Sequence, residues 1–96
     1  MFARLTTLQG SPERADEGVR FIQETVLPQA KQQAGFQGGY WGLDRSTGKA
    51  IALTLWESEK AVQDSEPFGQ QLRQQGTSVV GGEVVSVETF EIVAQS

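Results

Sequence analysis

Apolar and polar positions along the chain fall into six segments that switch between a period of about two and a period of about four. Residues 2–8 hold β-formers in alternation and predict a strand, closed by Gln9-Gly10. Ser11-Pro12-Glu13 then predicts a helix start, with Ser11 as cap, Pro12 in the first turn and Glu13 at the positive end. Ala15, Val19, Ile22, Val26 and Ala30 form one apolar helical face, with Gly18 beside it permitting close packing on a sheet. Gly35 marks the stop, and Pro28 predicts a kink or a division of the helix.

Residues 36–44 predict a second strand, whose glycines at 38, 39 and 42 point to a bulge or a close contact. Arg45-Ser46-Thr47-Gly48 reads as a hairpin loop. Residues 50–56 are apolar on both faces, as in a central strand. Ser58 caps a short helix over 59–64, and Ser65 a second over 66–75 that Gly76 ends. After Gly81-Gly82, residues 83–94 predict the last strand, with Val85, Val87 and Val93 on one side and Val84, Phe90 and Ile92 on the other. Strand, helix, strand, strand, helix, strand is the split βαβ order: one α+β, ferredoxin-like domain over residues 1–96, with helices on one face of an antiparallel sheet. Phe2, Leu8, Ile51, Leu53, Leu55, Phe90 and Ile92 are expected to cover the other face, and an apolar face of that size needs a partner. A homodimer through the sheet faces is the simple solution.

Composition narrows the chemistry. Ninety-six residues suit one domain of marginal stability, a further reason to expect association. Twelve acidic against eight basic side chains give a net charge of −4, which disfavours a nucleic-acid partner. With no cysteine and no histidine, disulfide and thiolate chemistry, a structural zinc site and a Ser-His-Asp triad are excluded. No signal peptide or apolar run of about 18 residues is visible, so the expectation is no membrane contact and a cytoplasmic location. The acidic group Glu57, Glu59, Asp64 and Glu66 lacks calcium-loop spacing and reads as a solvated surface.

What remains as candidate chemistry is aromatic. Trp56 ends the third strand, where its indole either walls a pocket mouth or seals helix to sheet. With a four-residue loop at 45–48, Trp41 shares the face of Trp56, and Tyr40 faces the dimer side, as an interface residue or as a donor to a ligand. Phe21, Phe36, Phe68 and Leu72 are expected to complete an apolar lining, with Ala3, Leu5, Ala52 and Thr54 leaving room for a flat ligand or for close helix packing. Arg4 and Glu88 are expected to pair across neighbouring strands on the sheet–sheet side, with Arg4 as a ligand-binding residue the second reading. No residue stands out as a catalytic base.

The run Leu53-Thr54-Leu55-Trp56-Glu57-Ser58-Glu59-Lys60-Ala61 resembles the strand-to-helix signature of antibiotic-biosynthesis monooxygenase domains. Gly35-Phe36-Gln37-Gly38 resembles the opening of that family's second strand, and Arg4-Leu5-Thr6 and residues 83–93 fit it too. The resemblance covers nearly the whole chain and implies a dimeric α+β barrel. It also implies cofactor-independent oxidation of an aromatic or polyketide-like substrate, bound by Trp56, Trp41, Tyr40, Phe36, Phe68 and Leu72. The family's haem-degrading branch uses an asparagine, a tryptophan and a histidine. Those positions fall at Ala3, Trp56 and Leu72, so only the tryptophan is present and haem degradation is disfavoured. Two other readings stay open: a non-catalytic dimeric module binding a small apolar molecule, and an accessory dimer with a filled core.

Overall fold

The computed structural model describes all residues from Met1 to Ser96. Strand β1 (Phe2–Gln9) leads through a 3-10 turn (Pro12–Arg14) into helix α1 (Ala15–Phe21), a π-helical segment (Ile22–Val26) and helix α2 (Leu27–Ala30). Strands β2 (Phe36–Leu43) and β3 (Lys49–Trp56) follow as a hairpin, then α3 (Glu59–Asp64), α4 (Glu66–Val80) and β4 (Glu83–Glu91). The sheet order is β2-β3-β1-β4, antiparallel throughout, so β3 and β1 are central as their apolar content demands. The helices cover one face only.

Local chemistry explains the irregular places. Pro28 does not divide the first helical run. It has no N–H to donate, and the wider π turn directly before it takes up the mismatch, so α1 and α2 remain one continuous rod. Gly18 abuts Val80 at the end of α4 rather than the sheet. Ser58 caps α3, its Oγ accepting from the Ala61 N–H at 3.1 Å. Ser11 and Ser65 are not side-chain caps: Ser11 donates to the Glu13 carboxylate, and Ser65 Oγ donates to the Val62 carbonyl at 2.8 Å. Helix α4 runs past Gly76, which is buried against the Phe21 ring, and ends at Gly81 in the left-handed conformation with φ 64°. Gly38, at φ 145°, carries the bulge of β2.

Strand parity holds for the β2–β3 hairpin and fails for β1 and β4. Asp44 N–H donates to the Lys49 carbonyl, leaving residues 45–48 as the loop, so Trp41 and Trp56 share the helix-side face and Tyr40 the open one. On β1, however, Phe2, Arg4, Thr6 and Leu8 face the helices, while Ala3 and Leu5 lie on the open face. The expected Arg4–Glu88 pair therefore does not form: Arg4 stands opposite Thr89, and Glu88 opposite Leu5 on the other face. The register shift at Thr7/Leu8 also turns Val84 away from the face of Phe90.

Gly48 closes the hairpin against the start of the first helical run. Its φ is 80°, and a Cβ there would lie 2.2 Å from the Gly10 carbonyl oxygen. Gly48→Ala is expected to lose at least about 1–3 kcal/mol from the positive φ alone. The check is a lower urea midpoint at unchanged slope.

Candidate functional site

Between the sheet and the helices lies an apolar cavity of about 130 Å³. Its floor is helix-facing strand residues, among them Thr6, Trp41, Ala52 and Trp56; its roof is Phe21, Ile22 and Val26 from the first helical run, with Phe68 and Leu72 from α4. The space exists because the sheet presents small side chains at its centre. Ala50, Ala52 and Thr54 on β3 lie directly opposite Leu8, Thr6 and Arg4 on β1. A cavity of roughly this size takes a single aromatic ring.

Trp56 is both core and cavity wall. It is 1% exposed, the one large side chain that is fully buried, and packs with Ala61 and Val62. The Phe36 ring meets it edge-on at 5.5 Å, and the Arg4 guanidinium lies 5.6 Å over its ring. Its Nε1 donates to Thr54 Oγ1 at 2.9 Å, so that N–H is occupied. Trp41 is half-buried and folds back over Gly39, where a Cβ would touch the indole at 2.9 Å. The glycine lets the ring lie flat on the sheet, which is the close contact the glycine-rich strand implied.

The expected lining divides. Trp56, Trp41, Phe68 and Leu72 come together around the cavity. Phe36 stands behind Trp56 and supports it. Tyr40 is 71% exposed on the opposite face of the sheet. Ala3 and Leu5 also face away, so the small residues that open the cavity are those of β3.

Two arginines are the polar part of the site; the sequence offered Arg4 as a ligand-binding residue only as a second reading and did not single out Arg73. Arg4 is 4% exposed; its Nη2 donates to the Val62 carbonyl at 2.6 Å and Ser65 Oγ at 3.0 Å, and pairs with Glu66 Oε2 at 3.1 Å. Burial pushes its pKa down; the Glu66 carboxylate opposes this and Arg73 adds to it. Arg73 holds the other oxygen of Glu66. Arg4 and Arg73 are the charged side chains on the cavity wall. A signal was available: Arg4 has the parity of Thr6 and Leu8, and Arg73 is seven residues, two helical turns, from Glu66. No three His, Cys, Asp or Glu side chains gather to hold a metal ion, and no helix is long and apolar enough to cross a membrane.

No protein-family model matches the chain. Two uncharacterized proteins of Mycobacterium tuberculosis are similar in sequence, one 31% identical over 94 residues and another 27% identical over 92. The matches take in 98% and 96% of this chain but 42% and 39% of those proteins, so the chain spans less than half the length of these relatives. Among solved structures, a monooxygenase of Streptomyces coelicolor in complex with nanaomycin D superposes with a TM-score of 0.77 at 17% identity, over 99% of this chain and 89% of that one. A proposed antibiotic biosynthesis monooxygenase from Deinococcus radiodurans gives 0.73 at 16% identity, over 100% and 96%. A Nitrosomonas europaea protein of unknown function gives 0.78 at 14% identity, over 99% and 91%.

Proposed function

We propose that this chain, which has the fold of the antibiotic-biosynthesis monooxygenases, works as a homodimer that oxidises a flat aromatic, polyketide-like molecule with molecular oxygen and no cofactor. The observation that carries the reading is the apolar cavity walled by Trp56 and Trp41, with room for an aromatic ring. The Streptomyces neighbour, a monooxygenase solved in complex with nanaomycin D, supports it.

In such a reaction a ring CH₂ activated by neighbouring phenols loses a proton, and the carbanion gives one electron to oxygen. The radical pair joins as a hydroperoxide, which loses water to leave a carbonyl. One oxygen atom ends in the product and the other in water. The protein's share is a dry, shaped site and positive charge beside the developing oxyanion.

A second reading has its own observation. The cavity wall holds no carboxylate, lysine or histidine to take a proton, and Glu66 is engaged by both arginines. That favours a dimeric binding module with no turnover. An oxygen electrode separates the two. With an anthrone at saturating concentration, the enzyme reading expects uptake of one oxygen per anthrone, well above the rate without protein. Saturable quenching of Trp fluorescence with no added uptake selects the binding module.

A further inference from the structure

We infer that Arg4 and Arg73 form an anion subsite at one end of the cavity, built to take the ionised oxygen of an aromatic ligand: a phenolate or an arene carboxylate. The inference rests on the cavity being a ligand site and adds the charge state of its occupant.

Two guanidinium groups share one carboxylate. Glu66 Oε2 pairs with Arg4 and Oε1 with Arg73, so one positive charge at the cavity wall is left without a counter-charge. The donors are unevenly used as well. All of Arg4's partners are on Nη2, and Arg73's is on Nη2, so Nε and Nη1 of both residues meet no acceptor in the protein. No fully occluded side-chain nitrogen or oxygen lacks a partner, so these free donors keep accessible surface, and both residues line the cavity.

Gly69 brings the two groups together. A Cβ at that position would lie 3.2 Å from Arg4 Nη1 and 3.0 Å from Arg73 Nη1. Any side chain there would wedge between the free donors and the helix that roofs them. The missing methyl lets both forks close on one place. Planar forks of this kind suit an oxyanion better than a neutral carbonyl, and in an apolar cavity the preference for negative charge is strengthened.

This also addresses the missing base. A cavity that selects the ionised form from solution, and lowers the ligand's pKa by placing cations beside its oxygen, needs no proton acceptor of its own. The aromatic rings of Trp41, Phe68 and Leu72's apolar surface hold the ring, and the arginines hold its oxygen.

The test compares benzoate with benzamide, nearly isosteric single-ring probes differing in charge, by Trp fluorescence and calorimetry on the full chain at neutral pH. The expected result is binding of the carboxylate about tenfold or more tighter than the amide, the scale of one charge-assisted hydrogen bond. Arg73→Gln should shrink that ratio towards one while leaving the amide's affinity in place, which a merely structural role would not do. Glu66→Gln should enlarge it. Equal affinities in the unaltered protein, or an unchanged ratio in a folded Arg73→Gln, would overturn the subsite and leave the cavity standing. Failure of both probes to bind would overturn the cavity reading and the subsite with it.

Discussion

Trp56→Ala is expected to cost about 3–5 kcal/mol, the largest loss of any single truncation in this chain. The indole is 1% exposed, and three groups depend on it. Phe36 loses the ring that it meets edge-on, Thr54 Oγ1 loses its donor, and the Arg4 guanidinium loses the aromatic face beneath it. Small domains have only about 5–15 kcal/mol in total, so the variant stands near the edge of folding. Its melting temperature should fall by more than about 12 °C at matched protein concentration. Trp56→Phe keeps an aromatic plane and gives up mainly the hydrogen bond to Thr54, at about 1 kcal/mol. That variant should fold and bind a flat aromatic probe several-fold more weakly. A loss below about 1 kcal/mol for the alanine variant would mean that the ring is a wall the core can do without.

The helix–strand order and the split βαβ topology were legible because glycine, proline and the period of apolar positions punctuate the chain at nearly every junction. The shared face of Trp41 and Trp56 was legible for the same reason: a four-residue loop fixes the parity of a hairpin. The faces of β1 were not. That strand carries apolar residues at 2, 3, 5 and 8, which fit neither parity cleanly, and a charged side chain is ordinarily assigned to the side away from helices. Arg4 goes the other way because Val62, Ser65 and Glu66, some sixty residues on, supply its partners. Local sequence contains no trace of that meeting. Gly76 misled for a related reason. A glycine after a polar helical run reads as a stop, yet here its lack of a side chain makes room for Phe21 inside a longer helix. The bulge in β4 is likewise set by its partner strand, and so Val84 was placed on the wrong side.

Leu53→Glu is expected to break the dimer proposed above. Leu53 lies at the centre of the open sheet face, on β3 opposite Leu5 of β1 and Tyr40 of β2. Around it the single chain leaves Tyr40 71%, Ile51 42% and Phe90 46% exposed. Four strands of eight or nine residues span roughly 26 Å by 19 Å, or about 500 Å² in projection. With side-chain relief this approaches the ~800 Å² per partner of a stable interface and sits at the upper end of what a monomer exposes. The single chain is also short of core, with only 13 of 96 residues buried, so stability is to be gained from covering that face. A glutamate at the centre of each covered face would be desolvated without a partner, at several kcal/mol. Sedimentation at micromolar concentration should give twice the chain mass for the unaltered protein and a single-chain mass, with a lower melting temperature, for the variant. Relatives more than twice as long as this chain have room for a second such domain, which could cover the same face within one polypeptide. An unaltered protein that sediments as a folded monomer at that concentration would overturn the dimer, and with it the role assigned to every apolar side chain on the open face.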